Sequence, residues 1–267
     1  MSFDHVWFLS DYGLEDEFVG VVKAVIRAIA PQARVDDVTH QIPPHDIRAG
    51  ALALARSMQY LTLTPTVVLA VVDPGVGSSR RALAVEAGES VLVGPDNGLL
   101  ASAVAMSGGA GRAVSLTNED YHLPAPGPTF AGRDIFAPAA AHLCAGADLA
   151  ELGESIDPIT LLPGVLPLSR QEDGAVVGEV LWVDRFGNVQ LNVDPDELLL
   201  MDDPLVLAWS DKTRTAVRAR SYSDLKPSQV GLVTDSYGLV SIALDRRSAA
   251  AELRIGAGDA VTIKPAE

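Results

Sequence analysis

The sequence predicts an α/β fold class: an N-terminal α/β domain with a largely parallel sheet, followed by a C-terminal all-β, barrel-like domain. Three observations predict it. Strand-like and helix-like patterns alternate through roughly the first 150 residues. The pattern then changes, and from Ala175 only short β-rich segments separated by turn residues remain. Finally, two apolar runs of the first half stop abruptly at an acid, as buried parallel strands do when they deliver a side chain to the carboxyl edge of a sheet.

Taken in order, Val6–Ser10 reads as a strand ending in Asp11-Tyr12-Gly13. Glu15-Asp16-Glu17 opens an amphipathic run from Phe18 to Ile29, which Pro31 stops; a helix starting near Gly13 would carry these acids in its first turns, where the dipole favours them. Arg34–Val38 is a strand, and Asp46–Leu61 a helix with Ile47, Leu54, Met58 and Leu61 as apolar positions. Thr66 to Val72 is apolar and β-branched, the signature of a buried strand. Ala82–Glu86 and Ser90–Val93 are short strands, Gly98–Met106 a helix after a turn at 95–98, Ala113–Leu116 a strand and Arg133–Ala145 an Ala-rich helix. A Pro- and Leu-containing stretch follows. The expected organisation is a domain over 1–155, a linker over 156–174 and a β domain over 175–267. Its strands are Val176–Val183, Val189–Val193, Leu205–Trp209, Thr215–Arg220, Val230–Thr234, Leu239–Leu244 and Ala260–Lys264.

Composition narrows the function. At 267 residues and 48% hydrophobic content the chain is long and apolar enough for sizeable cores. Its formal charge of −15 repels nucleic acid and anionic membranes, so neither is expected as a partner. The single cysteine, Cys144, lies in the Ala-rich helical pattern and reads as a small buried apolar residue. No Cys/His cluster has zinc spacing, no apolar run could span a bilayer, and Met-Ser-Phe-Asp-His has no basic region before an apolar core. A cytoplasmic enzyme without a bound metal is the expectation. Gly75-Val76-Gly77 lacks the third glycine of a dinucleotide fingerprint, and neither a Walker lysine motif nor a Gly-x-Ser-x-Gly elbow occurs.

The segment 71–80, Val-Val-Asp-Pro-Gly-Val-Gly-Ser-Ser-Arg, is the most informative. Asp73 ends a buried strand, a Gly-rich turn lets the backbone fold close, and Arg80 returns a guanidinium to the same place. Such a pair can orient and polarise a water; by itself it is also compatible with a plain surface ion pair. Asp11, at the end of another strand, makes two acids on one sheet edge, which suggests a site, although Asp11 could instead cap the following helix.

Five segments, taken together and in order, resemble the S-adenosyl-L-methionine (SAM) hydroxide adenosyltransferase family, the adenosine-forming SAM hydrolases related to SAM-dependent fluorinases and chlorinases. They are Ser-Asp-Tyr-Gly at 10–13, Val-Asp-Pro-Gly-Val-Gly at 72–77, Gly-Pro-Asp-Asn-Gly-Leu-Leu at 94–100, Gly-Arg-Asp-Ile-Phe-Ala-Pro at 132–138 and Asp-Arg-Phe-Gly-Asn at 184–188. The resemblance implies a homotrimer that binds SAM between subunits and uses no cofactor, SAM being the substrate. It implies that Asp11 holds the ribose hydroxyls, Asp184 and Asn188 the methionine amino end, Ser236 the methionine carboxylate, Tyr222 the adenine face, and the backbone around Asp245 and Arg246 the adenine edge. Read by pattern alone, Tyr222 could be a barrel-core aromatic and Ser236 a turn residue. Asp73 and Arg80 match two members of the family's water-activating Asp-Arg-His triad. The third is absent: Thr129-Phe130-Ala131-Gly132-Arg133-Asp134 carries Ala131 where the family motif has histidine, which implies weakened hydrolysis. A SAM-dependent halogenase and a non-catalytic SAM- or adenosine-binding protein are the alternatives.

Overall fold

The computed structural model describes residues 3–61, 64–164 and 167–266, in two compact units, Met1–Val165 and Leu166–Glu267. The first unit is a three-layer α/β sandwich. Its elements run β1 (His5–Ser10), α1 (Phe18–Ile29), β2 (Arg34–Thr39), α2 (Ile47–Leu61), β3 (Val67–Val71), β4 (Ala82–Ala87), β5 (Ser90–Pro95), α3 (Ala101–Met106), β6 (Ala110–Ser115), α4 (Ala137–Cys144) and β7 (Glu154–Ile156). The sheet order is β2-β1-β3-β5-β4-β6-β7. Pairing is parallel from β2 through β5 and antiparallel from β5 to β7, so five of the seven strands, all but β4 and β7, point the same way.

Period-two alternation divides β3 between two cores. Val67, Leu69 and Val71 pack with α1 and α4; Val68 and Ala70 pack with α2 and α3. Both faces of this strand are covered, which is why its sequence reads as an uninterrupted apolar run. Chain direction changes beside β1: β2 lies on one side of it and β3 on the other. Open α/β sheets bind ligands at such a reversal, outside the carboxyl ends of the strands.

Two expectations for this unit change. Helix α1 begins at Phe18, with Glu17 at the flanking position and no acid in the first turn. Glu15 and Asp16 therefore precede the helix instead of charging its N-terminus. The helix read over 133–145 opens as a π-turn, Gly132–Phe136, before becoming regular at Ala137.

The second unit contains β8 (Arg170–Glu172), β9 (Ala175–Val183), β10 (Val189–Leu191), β11 (Leu205–Trp209), β12 (Lys212–Ala219), β13 (Val230–Thr234), β14 (Val240–Leu244), the short helix α5 (Ala249–Leu253) and β15 (Ala260–Pro265). Strands β10, β14, β13, β12, β11, β15 and β9 follow one another, and β9 closes on β10 to complete a seven-stranded barrel. Its interior is filled by Val180, Leu191, Leu207, Ile242 and Ile263, all fully buried. The segment expected only as a linker contributes β8 to the second sheet, and its first residue, Ile156, ends β7 on the first. Each is three residues long, too short to leave a periodic pattern. Val165 and Leu166, also in that expected linker, lie outside the described residues.

Candidate active site

The ends of β1 and β3 place Asp11 and Asp73 in the wall of one cavity of about 500 Å³. The two strands are parallel neighbours, with Ser10 opposite Val71 and the Asp11 N–H donating to the Val71 carbonyl at 3.3 Å. Asp11 does not cap α1; its Oδ2 accepts the His45 N–H at 2.9 Å. A relay running from buried Ser10 and His40 out to the half-exposed Asp37 and Lys23 supports this corner. The Ser10 hydroxyl lies 2.7 Å from His40 Nδ1, His40 Nε2 lies 2.9 Å from Asp37, and Lys23 donates to Asp37 at 2.7 Å. Burial raises the Asp37 carboxyl, but the Lys23 and His40 hydrogen bonds prevail and hold it below its ordinary value. Ser10 is fully buried, so it serves the turn and not as a nucleophile.

Asp73 and Arg80 meet as a buried, two-pronged ion pair. Arg80 Nε donates to both carboxylate oxygens, at 2.8 and 3.0 Å, and Nη2 donates to Oδ2 as well. The side chains are 6% and 14% exposed, so this is no surface pair. The Arg80 guanidinium lies over the Phe136 ring, 5.2 Å from its centroid. The turn between them depends on Gly77, whose φ is +78° and whose missing Cβ would approach the Pro128 carbonyl to 3.0 Å. That contact brings the 73–80 turn against the 127–134 segment. Asn97 secures the other side, since its side-chain amide donates to the Val72 carbonyl at 2.9 Å. The Asp-Asn-Gly turn thus buttresses the strand end that presents Asp73.

Ala131 lies in the walls of two cavities, the one containing Asp11 and Asp73 and a second of about 900 Å³ bordered by Arg80. Next to it, only glycine fits at 132: an added Cβ would stand 2.0 Å from the Tyr12 hydroxyl oxygen. Arg133 pairs with buried Asp134, with Nε to Oδ1 at 2.6 Å, and lies over the Phe130 ring. Tyr12, Phe18 and Phe130 form a mutually tilted aromatic cluster with centroids 5.2–5.7 Å apart. Burial first, then the charges of Asp11 and Asp73, pushes the Tyr12 phenol far above its ordinary value, so it stays protonated. Tyr12, Phe18 and Phe130 were not among the sequence candidates. The signal available was an aromatic directly after Asp11, Glu17 and Thr129, which is weak alone.

In the second unit a cavity of about 250 Å³ gathers Asp184, Asn188, Tyr222 and Ser236, together with Trp182 and Asp235. Asp184 organises the β9–β10 turn. Its Oδ1 accepts the Phe186 and Asn188 N–H groups at 2.9 and 2.8 Å, and its Oδ2 accepts the Asn188 amide at 2.7 Å. Tyr222 is 43% exposed and so is not a barrel-core residue; burial, then Asp184 and Asp235, raises its phenol. Ser236 is exposed on the β13–β14 turn. Asp245 and Arg246 stand apart from this cavity, after β14, with the Arg246 side chain 93% exposed and its φ at +51°. Cys144 is buried, and burial pushes its thiol up to about 12. Among the described residues no group of three or more His, Cys, Asp or Glu side chains is placed to hold a metal ion, and no helix is long and apolar enough to cross a membrane.

Comparison with known proteins identifies the family of both units. Residues 6–153 match the SAM hydroxide adenosyltransferase N-terminal domain and residues 178–262 its C-terminal domain. An (R)-S-adenosyl-L-methionine hydrolase of Salinispora tropica is 44% identical over 96% of both chains. A protein of the same name from Thermus thermophilus is 47% identical over 68% of this chain and 72% of its own. A fluorinase of an Actinoplanes species is more distant, at 26% over 72% of each. The crystal structure of an uncharacterized conserved protein from Thermotoga maritima superposes with a TM-score of 0.86 at 34% identity, covering 97% of this chain and 99% of that one. The order of the two matched domains is the order of the two units seen here, and the motifs that shape the Asp73 turn and the Asp184 turn fall one in each. The chain belongs to the SAM hydroxide adenosyltransferase family.

Proposed function

We propose that the protein hydrolyses SAM to adenosine and L-methionine by attack of an activated water at ribose C5′. The observation that carries this reading is the buried Asp73–Arg80 pair in the cavity wall at the β1/β3 reversal, where Asp11 also lies. SAM brings its own leaving group. Attack at C5′ breaks the C5′–S bond, the electron pair goes to sulfur, and a sulfonium becomes neutral methionine thioether. No acid is needed there, and the reaction calls for no cofactor. The difficulty lies in the nucleophile. Asp73 accepts a hydrogen bond from the water, and Arg80 stabilises the hydroxide character that develops. Asp11 takes the ribose hydroxyls, and the Tyr12–Phe18–Phe130 cluster excludes bulk water. Asp184, Asn188 and Ser236 take the amino-acid end, Tyr222 packs on adenine, and the backbone at Asp245 and Arg246 reads its edge. The working form is a cytoplasmic homotrimer with SAM at subunit interfaces. Ala131, in place of histidine, makes turnover slow.

A halogenase is the competing reading, in view of the related fluorinases. Asp73 argues against it, because a carboxylate beside the nucleophile repels a halide. Incubation with SAM in ¹⁸O-water tests the proposal. The expected result is equimolar adenosine and methionine, with the label in the adenosine 5′-hydroxyl. Release of a 5′-halogenated adenosine in chloride or fluoride would support the halogenase. Tight SAM binding with no product would support a binding protein.

A further inference from the structure

The turn that presents Asp11 is held from behind by a histidine that the mechanism above does not use. His40 lies outside the walls of both cavities near Asp73. Its side chain is 1% exposed, and the Phe8 ring meets it edge-on with centroids 4.5 Å apart. An imidazole buried this far from water is costly unless its nitrogens are paired. Both are: Nε2 faces Asp37 Oδ1 at 2.9 Å, and Nδ1 faces Ser10 Oγ at 2.7 Å. With Nε2 donating to the carboxylate, Nδ1 of the neutral ring accepts from the Ser10 hydroxyl. The second Asp37 oxygen takes the Lys23 ammonium, which anchors the outer end of the chain on α1.

The inner end of the chain closes on Asp11 from both sides. Ser10 Oγ also accepts the Tyr12 N–H, at 3.3 Å, which makes a small turn with Asp11 at its centre. The His40 carbonyl accepts the Gly13 N–H at 2.8 Å, and Gly13, at φ +69°, supplies the left-handed step that brings the chain back to it. His40 thus holds Ser10 with its ring and Gly13 with its backbone, and reaches Tyr12 through the Ser10 hydroxyl. The bonds of Asp11 itself fix only the strand end, through the Val71 carbonyl, and one carboxylate oxygen, through the His45 N–H. The direction in which the turn carries the Asp11 side chain is set by the residues on either side of it, and His40 sets those.

We propose that His40 is a positioning residue for substrate binding: acting through Ser10, it aims the Asp11 carboxylate at the ribose hydroxyls. This rests on the reading of Asp11 as the ribose-holding residue of a SAM hydrolase. His40 touches no substrate atom, and no bond is made or broken at it. Hydrogen bonds from two hydroxyls to one carboxylate are charge-assisted and directional, so they weaken when the carboxylate turns. The ribose is held in the same way before and during attack at C5′. The loss therefore falls on KM and leaves kcat in place.

Three variants test this, each checked for folding by thermal melting. His40→Gln can reach Asp37 but leaves Ser10 without its partner, Ser10→Ala removes the hydroxyl, and His40→Asn keeps a polar atom at the Nδ1 position. Affinity is measured by calorimetry and adenosine release by steady-state kinetics, with SAM and with the SAM analogue lacking both ribose hydroxyls. His40→Gln and Ser10→Ala raise the Kd and KM for SAM about tenfold, the scale of one weakened charge-assisted hydrogen bond, with kcat within about twofold of the parent. Combined, they cost no more than either alone, because they break one chain. His40→Asn binds SAM like the parent. The analogue, which gives Asp11 nothing to hold, binds the parent and all three variants alike. Unchanged SAM affinity in folded His40→Gln and Ser10→Ala overturns the proposal, and so does an equal loss of affinity for SAM and for the analogue, which is what damaged packing alone would give. A parent chain that binds SAM and forms no adenosine overturns the hydrolase reading only, since the affinities still decide the role of His40. A parent that binds no SAM overturns both.

Discussion

Asp73 is held at both oxygens by Arg80, in a site where each side chain is largely shielded from solvent. Asp73→Asn keeps the shape and removes the charge that compensates the guanidinium and, in the proposed mechanism, orients the water. Hydrolysis is expected to fall by ~10²-fold or more while SAM still binds, read from adenosine release beside a calorimetric titration. Equal turnover would take Asp73 out of the chemistry. Ala131 borders both cavities, so under the proposed mechanism an imidazole introduced there would reach the attacking water. Ala131→His should raise turnover by ~10²-fold, with little change in SAM affinity. An unchanged rate would put position 131 outside the water site.

Among the elements, the π-turn Gly132–Phe136 has little room to change. Such turns widen a helix by one residue and re-aim its side chains, and they recur at functional sites. Here the turn sets Arg133 and Asp134 beside the cavities and leaves the space over Gly132 to the Tyr12 hydroxyl. Gly132→Ala must displace Tyr12 from the fully packed side of the β1 corner. The expected cost is about 1–3 kcal/mol of stability, typical of overpacking, together with weaker SAM binding as the aromatic cluster shifts. Thermal melting and a SAM titration of the variant would show both; a variant that melts and binds like the parent would mean that Tyr12 moves freely.

For the whole molecule, one prediction concerns assembly and one acidity. The proposed interface site requires a trimer, so light scattering should give about three times the chain mass at the concentrations used for assay. A monomer that binds SAM tightly would contradict it. Arg112 joins Glu86 and Asp148, and its hydrogen bonds hold both carboxyls below their ordinary values. A carboxyl depressed in the folded state stabilises the fold above its unfolded pKa, and that contribution is lost as the pH falls through the folded value. The melting temperature should therefore drop as the pH goes below about 4, the ordinary carboxylate range. Arg112→Leu should start slightly lower at neutral pH and lose less on acidification. Parallel melting curves would remove this network from the acid response.

The local sequence determined a great deal. The uninterrupted apolar run of β3 declared a strand buried on both faces, and the Phe18–Ile29 periodicity gave the body and end of α1 but not its start. The shift to short β segments after Ala175 gave the barrel. The acids that end β1 and β3, and the Gly-rich return to Arg80, were legible because strand termination and tight turns are local chemistry. Tertiary structure decided what required distant residues to meet. The three-residue strands β7 and β8 owe their existence to neighbouring sheets, not to their own pattern. The start of α1 at Phe18 and the π-turn at 132 are set by packing around Tyr12 and Phe130. Periodicity reports the environment of each residue averaged over an element, whereas a catalytic constellation depends on which elements are neighbours, and only the folded chain specifies that.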